Sequence, residues 1–300
     1  MNGDSDSPRP PGGSPAPAPG PARDRPSPLE LCDVAAAVAR DAGVLLLERF
    51  DGGHERALAS KSSPTDLVSE ADLSSERFIR ERLTQARPDD GFLGEEGGGE
   101  DGSSGLTWVV DPLDGTINFL FGIPQWCVSV AVRDAQGAIA GAVFDPNRGE
   151  LFTATRGGPA LISSAAGVRE LRGRAEDPHG EAAKAAPRAG LASAMVATGL
   201  AYDARVRAAQ ARVLARLVPE VRDIRRFGSA ALDLAWTAAG RYDAYFERTV
   251  KDWDIAAGSL ICERAGLRLL ELAPAEDLPW GILVARAGLA DVLHEIVAGA

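Results

Sequence analysis

One stretch limits the fold more than any other: Trp108-Val109-Val110-Asp111-Pro112-Leu113-Asp114-Gly115-Thr116-Ile117-Asn118-Phe119. Val109 and Val110 have the character of a buried strand end. Proline has no N–H to give to a sheet ladder, so the pattern predicts that the strand stops at Pro112 and the chain turns there. Asp111 and Asp114 flank that turn, with the Leu113 carbonyl between them. Gly115 and Thr116 come next, with backbone N–H groups free to face an anion. Donors that are all oxygen suit a hard cation such as Mg²⁺ better than zinc. Asp-Pro and Asp-Gly are also common turn dipeptides, and taken alone the segment reads equally well as a surface turn.

Two more acidic segments change that balance. Upstream, Gly91-Phe92-Leu93-Gly94-Glu95-Glu96-Gly97 ends a short apolar run in adjacent carboxylates. Downstream, Lys251-Asp252-Trp253-Asp254-Ile255-Ala256-Ala257-Gly258 opens a helix with Asp254 in its first turn. With these three segments in this order, the chain resembles the inositol monophosphatase family, Mg²⁺-dependent and lithium-sensitive phosphomonoesterases. The likeness runs from about residue 29 to the C-terminus, and within the family it looks most like the actinobacterial inositol-1-monophosphatases.

The resemblance implies an α+β fold, the layered α/β/α/β/α sandwich of the sugar phosphatases. It also implies that Glu95, Asp111, Asp114, Asp254 and the Leu113 carbonyl hold two or three Mg²⁺ ions, with Asp111 shared between sites. Glu95 and Thr116 would orient the attacking water, with Asp72 behind them. The N–H groups of Gly115 and Thr116 would hold phosphate oxygens, and Lys61 would approach the same region. Gly228, Ser229 and Ala230 would line the substrate pocket, and Glu247 would touch substrate hydroxyls. One departure stands past the ligands: Arg264-Ala265-Gly266-Leu267 occupies the place where relatives usually carry Glu-Ala-Gly-Gly.

The implied reaction is hydrolysis of inositol monophosphate to inositol and phosphate, by a homodimer. Paired metal ions can activate a water and stabilise the leaving alkoxide in an in-line displacement. No activated Ser, Cys or His nucleophile is evident, so no phosphoenzyme is needed. The residues leave two alternatives open: the same chemistry on histidinol phosphate or fructose bisphosphate, and a non-catalytic interaction protein that keeps the fold.

Composition narrows the classes further. A net charge of −11 argues against non-specific nucleic-acid binding, and a phosphorylated substrate would need cations to draw it in. No apolar run approaches a membrane span and no signal-peptide core opens the chain, which predicts a cytoplasmic protein. Cys32, Cys127 and Cys262 show no C-x-x-C spacing and read as small core residues. His54, His179 and His294 are scattered through polar segments. Nine of the 20 prolines fall in residues 1–28, which predicts a disordered tail ahead of one catalytic domain over 29–300. Order is expected from Ser27-Pro28-Leu29-Glu30, a capping box with proline at the first helical position.

Hairpin-like strands over 125–133, 138–144 and 150–155, the last two joined by a five-residue loop, stand beside helices and indicate α+β layers rather than a Rossmann sheet. A helix entered through the polar loop 61–72 should bury Phe78, Ile79 and Leu83. Residues 163–188 read as a polar surface excursion. Strands are expected over 191–200, 222–227, 241–247 and 282–285. Helices should end near residue 217, bury Trp253, Ala257, Leu260 and Ile261, and close the chain over 289–297.

Overall fold

The computed structural model describes residues 26–51, 58–60, 67–173 and 190–298, the stretches 58–60 and 67–69 by backbone alone. The Pro-rich tail up to residue 25, His54, Lys61, His179 and residues 174–188 of the expected excursion lie outside the described residues.

Helix α1 (Pro28–Asp51) starts at the capping box: the Ser27 N–H donates to Glu30 Oε2 at 2.7 Å, and the Glu30 N–H donates to Ser27 Oγ at 3.2 Å. Strands β1 (Leu58–Ser60) and β2 (Leu67–Ser69) pair antiparallel and lead into α2 (Glu70–Ala86). Then come β3 (Gly91–Gly94), β4 (Gly98–Glu100), β5 (Thr107–Asp114) and the short helix α3 (Thr116–Leu120). A meander continues the chain: β6 (Cys127–Asp134), β7 (Gly137–Asp145), β8 (Glu150–Thr155), β9 (Ala160–Ser164) and β10 (Gly167–Leu171). These strands form one sheet in the order β10-β9-β8-β7-β6-β5-β3-β4, whose neighbours run antiparallel except β3 beside β5.

The second half alternates strands and helices: β11 (Met195–Thr198), α4 (Ala204–Leu217), β12 (Asp223–Arg225), α5 (Ala230–Ala238), β13 (Ala244–Arg248), α6 (Asp252–Arg264), β14 (Arg268–Leu272), β15 (Gly281–Ala285) and α7 (Ala287–Val297). Its sheet has the order β12-β11-β13-β15-β14.

Period-two alternation along the strands sorts these elements into layers. Val128, Val130 and Val132 of β6 face α1 and α2 in one apolar cluster, while Cys127 and Ala131 face the other way, towards α5 and α6. In the second sheet, Tyr245, Ile282 and Val284 join that central cluster, while Ala244, Phe246 and Leu283 pack against α4 and α7. The result is the α/β/α/β/α sandwich, with α5 and α6 as its inner layer.

Several elements differ from expectation for local reasons. Strand β5 does not stop at Pro112: it runs on to Asp114, with its register against β6 shifting between Asp111 and Asp114. The irregularity falls where proline cannot donate, so the strand bulges instead of turning. The first part of the expected 163–188 excursion is sheet, because residues 163–164 and 167–171 belong to the β9–β10 hairpin. The β7–β8 loop is 146–149, since Asp145 still pairs with Glu150. Phe78 and Trp253 are half-buried rather than core. The second helix buries Asp72, Ser75 and Glu76 beside Ile79 and Leu83, a polar strip that apolar periodicity does not reveal. Cys32, Cys127 and Cys262 are free thiols, the last two buried.

Candidate active site

β3 and β5 run parallel, so both bring their C-terminal ends to the same edge of the large sheet. Glu95 comes directly after β3, its N–H donating to the Val110 carbonyl at 3.3 Å, and Asp111 and Asp114 end β5. Asp254 reaches the same place from the first turn of α6, and Glu247 from β13 of the other sheet. Together with Leu113, Gly115, Thr116, Gly228 and Ala230 they line one cavity of about 560 Å³.

The aspartates are held unequally. Asp111 is buried, and its Oδ1 accepts from the Leu113 N–H at 3.0 Å. Asp114 is pinned from across the inner layer: Ser229 Oγ donates to Oδ2 at 2.7 Å, the Ala231 N–H to Oδ2 at 2.7 Å and the Ala230 N–H to Oδ1 at 3.2 Å. Cys127 Sγ lies 3.7 Å from the same Oδ2. Asp254 Oδ2 accepts from the Lys251 N–H at 2.6 Å, which also caps α6.

Burial, reinforced by the facing Glu95, Asp114 and Asp254 carboxylates, pushes Asp111 well above the usual carboxylate range. Burial and then Asp114 push Asp254 well up too. Burial raises Asp114 to about 6 against the opposing hydrogen bonds of Ser229, Ala231 and Ala230. Crowded, buried, like-charged oxygens are what divalent cations neutralise, and every donor is one that Mg²⁺ accepts. The donor set therefore fits hard-cation chemistry. Among the described residues, no group of three or more His, Cys, Asp or Glu side chains is gathered on one point.

Thr116 lines the same cavity as these carboxylates, its hydroxyl 2.8 Å from Asp72 Oδ1 and 3.1 Å from the Leu113 carbonyl. Asp72 is fully buried behind it, away from the cavity wall. Gly115 adopts φ +102°, and a Cβ there would meet the Gln125 carbonyl and Trp126, so only glycine fits. Glu247 accepts from the Tyr245 hydroxyl at 2.8 Å, and burial raises it to about 7. Gly199 makes room for this carboxylate: a Cβ there would overlap Glu247.

Of the pocket residues expected from sequence, Gly228 and Ala230 line the cavity, whereas Ser229 stands behind Asp114 and spends its hydroxyl on it. Lys61 lies outside the described residues. Sequence reasoning missed Arg226, Lys251, Trp253 and Gly199. Arg226 was signalled only by its place just ahead of the Gly228 turn. Lys251 and Trp253 stood inside the Asp254 segment, and Gly199 carries no local signal.

The inositol monophosphatase family model matches residues 28–299 of the chain. An inositol-1-monophosphatase of Mycobacterium bovis is 43% identical over 260 residues, 85% of this chain and 85% of that protein. The solved structure of Mycobacterium tuberculosis SuhB superposes with a TM-score of 0.73 at 37% identity, covering 90% of this chain and 96% of that one. The extragenic suppressor protein suhB of Bartonella henselae gives a TM-score of 0.77 at 32% identity, covering 88% and 97%.

Proposed function

We propose, for a chain that belongs to the inositol monophosphatase family and is a phosphoric monoester hydrolase, that it hydrolyses inositol monophosphate to inositol and phosphate with Mg²⁺. The observation that carries this reading is the convergence on one cavity of Glu95, Asp111, Asp114, Asp254 and Glu247. The name of the Mycobacterium bovis relative, an inositol-1-monophosphatase, supports the substrate.

Glu95, Asp111, Asp114, Asp254 and the Leu113 carbonyl would hold two or three Mg²⁺. When bound, the ions supply an acidified water and positive charge against the developing charge of the transferring phosphoryl group. The chain does the rest. Thr116 donates its hydroxyl proton to Asp72, which leaves its lone pairs to accept from the attacking water, and Glu95 orients that water from the other side. The Gly115 and Thr116 amides face the phosphate oxygens. Tyr245 fixes the Glu247 carboxylate, which accepts from the hydroxyls of the polyol ring. Arg226 and Lys251 add positive charge to an otherwise acidic cavity wall. Among the described residues no helix is long and apolar enough to cross a membrane; a cytoplasmic homodimer is part of the same proposal.

The test is phosphate release with and without Mg²⁺ from inositol 1-phosphate, histidinol phosphate, fructose 1,6-bisphosphate and nitrophenyl phosphate. The highest kcat/KM is expected on inositol 1-phosphate, abolished by chelation. A preference for another ester would reassign the substrate. No release from any of them would point to a fold-retaining interaction protein.

A further inference from the structure

Helix α2 turns three buried polar side chains inward from Asp72-Leu73-Ser74-Ser75-Glu76, whose i, i+3, i+4 spacing puts them on one face. Asp72 receives the Thr116 hydroxyl. Ser75 Oγ donates at 2.9 Å to the Pro112 carbonyl, between Asp111 and Leu113. Glu76, only 4% exposed, accepts the Glu96 N–H at Oε2, 2.7 Å away. Its Oε1 lies 3.7 Å from Arg80 Nη2. Arg80 is itself held by Glu100 at 3.0 Å and by the Phe92 ring, 3.9 Å from its guanidinium carbon.

The glycines that bracket Glu95-Glu96 answer to that carboxylate. A Cβ on Gly94 would overlap Glu76 Oε2, and one on Gly97 would fall 2.5 Å from Oε1. The turn 94–97 is thus wrapped around a buried side chain from another element, and Glu95 is the residue this turn presents to the cavity.

We propose that Glu76 is a positioning residue: it holds the turn 94–97 through the Glu96 N–H so that Glu95 points at the cation site. A charge-assisted bond to a backbone N–H is short and directional, and groups that orient a ligand from behind typically matter about tenfold to a hundredfold in metal affinity. The inference rests on Glu95 being a ligand.

The experiment measures the Mg²⁺ midpoint by calorimetry, and the melting temperature in chelator, for the full chain and its variants. Glu76→Ala is expected to raise the midpoint about tenfold to a hundredfold. Glu76→Gln keeps an oxygen acceptor for the Glu96 N–H and should stay within about threefold of the parent. Gly97→Ala, an exposed change that pushes on the same carboxylate, should shift the midpoint in the same direction as Glu76→Ala. A lower chelated melting temperature with an unchanged midpoint in Glu76→Ala would make Glu76 structural and overturn the proposal. Should Glu76→Ala fail to fold, Gly97→Ala decides alone, an unchanged midpoint overturning it. Glu95→Gln separates the two levels. Full Mg²⁺-dependent turnover there removes Glu95 as a ligand, whereas lost turnover beside unchanged Glu76→Ala and Gly97→Ala midpoints removes only the role of Glu76.

Discussion

Asp254→Asn removes a charge without removing a helix cap, because an amide oxygen at that position still accepts from the Lys251 N–H. Turnover is expected to fall on the order of a hundredfold or more, through the loss of an anionic ligand. The melting temperature in chelator should hold or rise, since the substitution removes a carboxylate whose charged form is disfavoured by burial and then by the nearby Asp114. Near-normal Mg²⁺-dependent turnover would leave Asp254 as a cap alone. Glu247→Ala tests the carboxylate that β13 brings to the cavity. Its kcat/KM on inositol 1-phosphate should drop roughly tenfold to a hundredfold, the worth of one or two charge-assisted hydrogen bonds, while nitrophenyl phosphate barely responds. Equal losses on the two esters would take Glu247 out of the substrate pocket. At this scale, the acidic candidates were legible because each sits in a short segment with a turn or a helix start around it. Gly199, and the role of Ser229 as a donor to Asp114 rather than a pocket wall, were not, because their partners, Glu247 and Asp114, are distant in sequence and the pairings exist only across layers.

Strand β5 shows why elements are easier to place than their ends. Its apolar run is plain, yet Pro112 reads as a stop when the register shift simply omits the ladder bond proline cannot make. Likewise α2 announces itself by Ile79 and Leu83, and Asp72 by the family resemblance, but it conceals its buried Ser75 and Glu76, whose partners lie on other elements. Strand β13 carries a second hidden polar group. Arg248 is 2% exposed and donates to five carbonyl oxygens, those of Leu272, Ala273, Pro279, Val297 and Ala298. It ties the ends of β14 and α7 to the strand that presents Glu247. Arg248→Leu strands those acceptors and should lower the unfolding free energy by on the order of 3 kcal/mol, read by urea denaturation. A loss below about 1 kcal/mol would mean that water takes the place of the guanidinium.

Across the whole molecule, the carboxylates of the cavity make folding and cation binding one problem. Asp114 rises from 3.8 to about 6 and Glu247 from 4.5 to about 7, with Asp111 and Asp254 shifted the same way. A carboxyl raised on folding favours the folded state below its unfolded value, and that contribution is lost as pH rises through the folded value. The melting temperature in chelator should therefore decline between about pH 4 and pH 7, and Mg²⁺ should recover most of the loss at the upper end. A Mg²⁺-induced shift that is the same at both ends of that window would count against the cluster as the cation site. Strands beside amphipathic helices pointed to α+β layers and the family resemblance implied five of them, but their junction at Asp114 was not foreseeable. That junction can be followed in isotopic time. The Ala230 and Ala231 amide hydrogens end on the Asp114 carboxylate, so they can trade for deuterium only when the carboxylate lets go or α5 opens at its first turn. Filling the cavity with Mg²⁺ should slow both together, which makes two alanines on a buried helix the reporters of what an aspartate more than a hundred residues earlier is holding.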